Sequence, residues 1–209
     1  RAHALCERVA DAPHVFPILR GLNISYLLQG KLQTAHDLSE QLLRSARSSG
    51  EDHALLEAHF AIGQTLFFRG EFRRARAHLA EGAALHDPQR YRHQALLHGQ
   101  DVGVSCSHLG AVTSWFLGEP DRALAQGRQA LALARDFAHS DTLAATLSFV
   151  AYLHLLRREP AGARPLGEEL AVLADTQGLP FWAAGADATL GSVAVQEDRI
   201  AEGIARIRD

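Results

Sequence analysis

The sequence has little cysteine, no methionine and no long apolar run, and each shortage excludes a class of protein. Its 209 residues include two cysteines and no methionine. Cys6 and Cys106 are too few for a disulfide framework and fit a reducing compartment, so we expect a cytoplasmic location. Because translation starts with Met, its absence predicts a segment of a longer protein. No run of about 18 apolar residues predicts a membrane span, and residues 1–6 lack the apolar core of an export signal.

The charge balance and the missing motifs argue against nucleic-acid binding and against catalysis. Lys and Arg total 21 against 24 Asp and Glu, so the net charge is -3 and offers no general attraction for nucleic acid. No glycine-rich phosphate loop and no His-Glu-x-x-His motif occurs in the sequence. We therefore expect a segment without enzymatic activity or cofactor. Its 47% of hydrophobic residues is ample for a folded core.

Five short breaks recur 40 residues apart, with one interval of 48. They are Gly30-Lys31-Leu32, Gly70-Glu71-Phe72, Gly118-Glu119-Pro120, Arg158-Glu159-Pro160 and Asp198-Arg199-Ile200. Glycine reaches the left-handed conformation that ends a helix, and Pro120 and Pro160 suit a first helical position. Asp198 tolerates that conformation, whereas Arg158 does so poorly, so a different turn is predicted at the fourth break.

Small residues recur at fixed distances from these breaks. Five positions after each break stand Ala35, Ala75, Ala123, Ala163 and Gly203, and seven positions before stand Asn23, Gly63, Ala111, Ala151 and Gly191. Two helices joined by a short turn approach closely only where a facing side chain is tiny, with larger apolar residues on either side. The pattern therefore predicts a series of helical hairpins.

This pattern resembles the tetratricopeptide repeat (TPR), whose motif reads Leu-Gly-x-x-Tyr on the first helix and Ala on the second. Ile62-Gly63 and Leu190-Gly191 are the best matches. The resemblance implies an all-α fold, a right-handed α-α superhelix of about five helical hairpins. The spacing of 40 exceeds the usual period of about 34, and the expected Trp is absent, so another solenoid with longer helices stays open.

The predicted organisation is a single repeat array over residues 1–209. Its pairs lie at about 14–49, 51–86, 102–137, 140–177 and 180–209, and residues 1–11 read as the second helix of a preceding pair. The extra eight residues of the long interval fall in an insertion at 87–101. Asp87 and Asp101 are predicted to cap helices at its two ends.

The insertion carries a closer resemblance. His86-Asp87-Pro88-Gln89-Arg90, His98-Gly99-Gln100-Asp101 and Trp115-Phe116-Leu117-Gly118-Glu119-Pro120 are similar to the C-terminal repeat region of bacterial adenylate/guanylate cyclase-like AAA-ATPase signalling proteins. The resemblance implies a regulatory scaffold with the nucleotide chemistry in upstream domains. Its expected partner is a protein or peptide segment, including one from the parent chain itself.

Two surfaces are candidate binding sites. By the register of the repeat, the first helices line a groove, and its predicted residues are Phe60, Gln64, Phe68, His108, Trp115 and Tyr152. Aromatic side chains beside polar tips suit a peptide or, as an alternative function, a small molecule sensed inside the superhelix. Over half of these aromatics are also assigned to the core. Arg69, Arg73 and Arg74 could bind a phosphate or carboxylate, or form a solvated corner.

Histidines cluster near the insertion, at His86, His93, His98 and His108. Their irregular spacing predicts no metal site, and a metal-dependent enzyme remains a remote alternative. Cys106-Ser107-His108 is excluded as a catalytic relay, because successive helical residues point about 100° apart.

Overall fold

A computed structural model describes residues 15–87 and 100–208 of the chain. These residues form ten helices and include no strand, which confirms the predicted all-helical fold. In chain order they are α1 (Val15–Leu28), α2 (Leu32–Ser49), α3 (Asp52–Phe68), α4 (Phe72–Ala84), α5 (Val102–Phe116), α6 (Pro120–Phe137), α7 (Ser140–Leu156), α8 (Pro160–Gln177), α9 (Pro180–Gln196) and α10 (Ile200–Arg208). The predictions for residues 1–11 and for most of the 87–101 insertion lie outside the described residues, and so do the residues after Asp87 that its predicted cap would involve.

The chain divides into two compact units, Arg1–Asp87 and Pro88–Asp209. The described part of the N-terminal unit contains two hairpins, α1–α2 and α3–α4. That of the C-terminal unit contains three, α5–α6, α7–α8 and α9–α10. In both units we refer to the first helix of a hairpin as its inner helix and to the second as its outer helix.

All five breaks form the same turn, so the different turn predicted at the fourth break is wrong. Gly30, Gly70 and Gly118 have φ of 72°, 78° and 79°, and Arg158 and Asp198 have φ of 59° and 63°. At the fourth break the Arg158 N–H donates to Leu155 O and the Glu159 N–H donates to His154 O, each at 3.0 Å. This Schellman pattern satisfies the last carbonyls of the helix. It holds Arg158 in a conformation that costs an L-residue about 1 kcal/mol or more.

The small residues lie where helices touch. All ten predicted contact positions are buried, including the one that is neither Ala nor Gly, Asn23. A Cβ added to Gly191 of α9 would lie 2.8 Å from the carbonyl oxygen of Gly203, and one added to Gly203 of α10 would lie 2.5 Å from that of Gly191. The two backbones are therefore in direct contact, as the small-residue pattern predicts.

Asn23 replaces the missing small residue by hydrogen bonding. Its Nδ2 donates to Ala35 O at 2.8 Å and contacts Thr65 Oγ1 at 3.3 Å. The first bond closes the α1–α2 hairpin, and the second joins it to the inner helix of the next pair. A buried amide is tolerated here because both partners are supplied by the repeat itself.

Side-chain hydrogen bonds also join the inner helices of the C-terminal unit. The predicted cap Asp101 is confirmed, because its Oδ1 accepts from the Val104 N–H at 2.7 Å. Its own N–H donates to Thr142 Oγ1 of α7 at 2.8 Å. From α9, Trp182 Nε1 donates to Asp141 Oδ1 at 2.6 Å and Gln196 Nε2 donates to Leu155 O at 3.0 Å. Thus α7 lies beside both α5 and α9.

Candidate functional site

The inner helices of the C-terminal unit are almost uncharged. Among α5, α7 and α9 the Asp, Glu, Lys and Arg residues number two, Asp141 and Asp187, whereas the outer helices α6, α8 and α10 carry five, four and three such residues. A helix that needs contact with water on one side normally carries charge there. The inner helices therefore present a side that is suited to an apolar neighbour.

Both acidic side chains of these inner helices already have partners within the unit. Asp141 accepts the indole N–H of Trp182 at 2.6 Å. Asp187 pairs with Arg206 of α10, with 2.9 Å between Arg206 Nε and Asp187 Oδ1. Because both carboxylates are already paired, neither is well placed to attract a cationic ligand. The helices α5, α7 and α9 contain no Lys or Arg that could bind an anionic ligand.

The uncharged side of α7 and α9 forms an open face, which we define as Ser148, Tyr152 and Leu156 of α7 with Phe181, Ala188 and Ser192 of α9. Ala151 and Gly191 contact the outer helices of their hairpins, and Tyr152 and Ser192 are the residues that follow them. Since successive helical residues point about 100° apart, Tyr152 and Ser192 project to the same side of their respective hairpins. A Cβ added to Gly185 of α9 would lie 3.8 Å from Ser148 Oγ of α7, so the two helices meet along this face.

The open face contains exposed aromatic rings. Tyr152 is 43% exposed and Phe181 is 72% exposed, while Ala188 is exposed and Ser148, Leu156 and Ser192 are half-buried. Phe181 packs edge-on against Trp182 with ring centroids 4.9 Å apart, which limits its freedom. Large, rigid, partly exposed rings beside small residues offer apolar area to a ligand at low entropic cost.

Of the groove residues predicted in this unit, Tyr152 is on the open face, Trp115 is half-buried and His108 is buried. The His108 ring stacks on Phe149 with 4.6 Å between centroids, and its Nδ1 lies 3.1 Å from Thr146 Oγ1. Because the Thr146 hydroxyl donates to Thr142 O, His108 must donate this bond. Burial lowers the pKa of His108 to about 3, so the ring is neutral. His108 thus packs α5 against α7 and offers no surface to a ligand.

The groove residues predicted in the N-terminal unit lie along α3 and differ in exposure. Phe68 is 52% exposed and packs edge-on against Phe67, Gln64 is half-buried, and Phe60 is buried. The guanidinium of Arg20 lies over the Phe60 ring, 5.3 Å from its centroid. Phe60 is therefore a packing residue between α1 and α3, and Phe68 is the accessible aromatic residue of the three.

An ion pair inside the N-terminal unit was missed by sequence reasoning. Arg20 Nε of α1 lies 3.2 Å from Glu57 Oε2 of α3, and both side chains are largely buried. Arg20 also donates to Asn23 Oδ1 at 3.2 Å, which ties the pair to the amide described above. The available signal was a single Arg within α1 and a Glu in the interior of α3, but their separation of 37 residues gave no pattern.

The predicted basic patch is interrupted by an acid. Arg69 Nε lies 2.8 Å from Glu71 Oε1, and Arg74 Nη1 lies 2.5 Å from Glu71 Oε2. The hydrogen bond from Arg74 lowers the pKa of Glu71, so this carboxylate stays charged. Arg73 is exposed on the same turn. The corner therefore carries less net positive charge than three arginines suggest.

Cys106, Ser107 and His108 are not brought together. Ser107 Oγ donates to Gly103 O at 3.0 Å, Cys106 is buried, and His108 contacts Thr146. Within residues 15–87 and 100–208, no group of three or more His, Cys, Asp or Glu side chains is arranged to hold a metal ion. His93 and His98 lie outside these ranges. No helix in the described part of the chain is long and apolar enough to span a membrane.

Comparison with known proteins agrees on the fold. Neither a family model nor a curated protein sequence matches the chain. A solved structure of a putative kinesin light chain with nearly identical TPR-like repeats from Podosopora anserina matches with a TM-score of 0.63 and 17% identity, covering 95% of each chain. A variant of that repeat protein gives 0.64, 16% and 94% of each chain.

A third solved structure is a STAND (signal transduction ATPase with numerous domains) protein with a tetratricopeptide repeat sensor from Pyrococcus horikoshii. Its TM-score is 0.40 at 11% identity, over 93% of this chain and 36% of that one, which is a weak similarity. The first two similarities show the fold alone. The chain has a TPR-like helical-repeat fold.

Proposed function

We propose that the chain is a protein-interaction module whose open face, on α7 and α9, binds an uncharged apolar segment of a protein. The observation that carries this proposal is the separation of charge between the inner and outer helices of the C-terminal unit. Stacked helical repeats generally use an extended inner surface for binding. An apolar partner fits because the open face has exposed rings and no Lys or Arg with which to hold a charged one.

The sequence resemblance to cyclase-like AAA-ATPase signalling proteins extends this proposal to a biological setting. In that setting the module is a non-catalytic regulatory tail, located in the cytoplasm, and its partner segment belongs to the parent chain or to another protein. Probing the parent chain's upstream domains with this module tests the setting separately from the open face itself.

A binding experiment on the whole 209-residue chain tests the open face. Three kinds of synthetic peptide are compared, with apolar uncharged, acidic or basic residues at the contact positions. The chain is titrated into each labelled peptide, and binding is followed by fluorescence anisotropy. We expect the apolar peptides to bind. Tyr152→Ala should weaken their binding by about 2 kcal/mol, or about thirtyfold in Kd, because a central aromatic ring contributes much of the energy of an interface.

Two matched substitutions separate the open face from general surface effects. Ala188→Glu places a carboxylate on the open face, where it would have to lose water, so peptide binding should be lost. Val172→Glu introduces the same carboxylate on the exposed side of the outer helix α8 and should leave peptide binding unchanged. Binding of only the acidic or basic peptides, or equal weakening by both variants, would refute the proposal.

The alternative function, small-molecule sensing, has its own outcome in the same experiment. If no peptide binds but a class of metabolites raises the Tm of the chain, sensing replaces protein interaction as the better reading.

A further inference from the structure

Two imidazole rings face each other across the α3–α4 hairpin of the N-terminal unit, whereas the open face belongs to the C-terminal unit. His59 Nδ1 of α3 lies 3.2 Å from His78 Nδ1 of α4, and the ring centroids are 5.2 Å apart with an angle of 40° between the planes. His59 is buried and His78 is half-buried. Neither residue has a role in the proposed binding of a protein segment.

The two distances match a pair of imidazoles that share one metal ion. Nitrogen ligands about 2.05 Å from a tetrahedral ion lie about 3.3 Å apart, and the centres of their rings lie about 5.2 Å apart. A straight N–H···N hydrogen bond of the observed length would place the ring centres about 5.5 Å apart. The observed separation of the ring centres, 5.2 Å, is the one expected for two imidazoles on a shared ion.

A carboxylate lies behind the site in the position that favours metal binding. His59 Nε2 lies 3.3 Å from Glu81 Oε2, which favours the ring proton on Nε2 and a lone pair on Nδ1. Histidine ligands usually donate their second N–H to such a carboxylate, which fixes the tautomer and raises the basicity of the ligand. The Glu81 side chain is mostly exposed, so it can shift with the His59 ring when an ion binds.

Burial lowers the pKa of both rings and so favours the neutral form that metal binding requires. Desolvation lowers the pKa of His59, opposed by Glu81 of α4 and assisted by Arg47 of α2. Desolvation and the neighbouring His59 lower the pKa of His78, with Glu81 and Glu40 opposing and Arg74 assisting. Little proton competition is therefore expected at neutral pH.

We propose that His59 and His78 form a two-imidazole site for a borderline divalent cation such as Zn²⁺ or Cu²⁺, which clamps α3 to α4. The two rings are the protein ligands, and water completes the coordination, since no third ligand side chain in the described ranges surrounds the same point. A site of this kind binds an exchangeable ion and stabilises one hairpin.

The test uses the tag-free 209-residue chain with Zn²⁺ for thermal stability and Cu²⁺ for spectroscopy. One equivalent of Zn²⁺ should raise the Tm at about pH 7.5, and the increase should fade only below pH 6.5, where protons compete for the rings. His59→Gln and His78→Gln should each weaken ion binding by more than about tenfold. His154→Gln, in the C-terminal unit, is the matched control and should bind as the parent does.

Electron paramagnetic resonance supplies a readout that loss of hairpin stability would not imitate. The parent should show Cu²⁺ with two equivalent nitrogen ligands, and each glutamine variant should show one at most. No Tm increase with Zn²⁺, or a two-nitrogen Cu²⁺ signal that survives in both variants, would overturn the proposal and leave the pair as a simple hydrogen bond.

Discussion

Gly191→Ala tests whether close backbone contact holds the last hairpin together. The new Cβ would lie 2.6 Å from Ile207 Cγ1 and 2.8 Å from the carbonyl oxygen of Gly203. Ile207 can move, but the carbonyl belongs to the backbone of α10, so the helices must separate. Such overpacking costs about 1–3 kcal/mol, and alanine recovers about 1 kcal/mol through its better helix propensity. We expect a net loss of up to about 2 kcal/mol.

Gly110→Ala in α5 is the matched control, because its Cβ would meet no heavy atom within 4 Å. The same substitution should there stabilise the chain by up to about 1 kcal/mol. Urea unfolding followed by circular dichroism gives both free energies, and the Tm should fall for Gly191→Ala by about 2–4 °C for each kcal/mol lost. If both variants are equally stable, the helices do not meet at Gly191 and the reasoning is refuted.

Two further predictions concern a strained turn and a buried ring. Arg158→Gly should raise the free energy of unfolding by about 0.5–1 kcal/mol, since Arg158 is exposed at φ 59° and glycine adopts that conformation without strain; a loss of stability would contradict this. Burial lowers the pKa of His108 from 6.5 to about 3, so between these two pH values the His108 ring takes up a proton in the unfolded state only. The stability that the neutral His108 contributes to the folded state is therefore fully present above pH 6.5 and is lost as the pH falls toward about 3. The loss from pH 7 to 5 should be about 2 kcal/mol. It should disappear from the pH dependence of urea unfolding in His108→Asn, which keeps an N–H donor, and an unchanged pH dependence would contradict the assignment.

The fold could be predicted because its determinants are local in the sequence. A break, a residue seven positions before it and one five positions after it are enough to specify a hairpin, and all ten small-residue positions are buried. Arg158 was misjudged because residue type alone understates what two terminal hydrogen bonds can hold in place. The turn is set by the hairpin around it rather than by its own preference.

The exposure of the candidate site could not be predicted because it depends on neighbouring repeats. Val112, Tyr152 and Ser192 occupy equivalent positions 40 residues apart, yet Val112 is buried, Tyr152 exposed and Ser192 half-buried. Arg20–Glu57 and His59–His78 likewise join residues on different helices at separations without a periodic signature. Repeat register locates a position on a helix, whereas the neighbouring helices determine what covers it.

The salt dependence of peptide binding tests the central claim most directly. If the open face recognises an uncharged apolar segment, the Kd of the tightest-binding apolar peptide should change less than about twofold between about 50 and 500 mM NaCl, because no ion pair is screened. A Kd that rises more than about tenfold over that range would show that charge, and not the apolar face of α7 and α9, holds the partner.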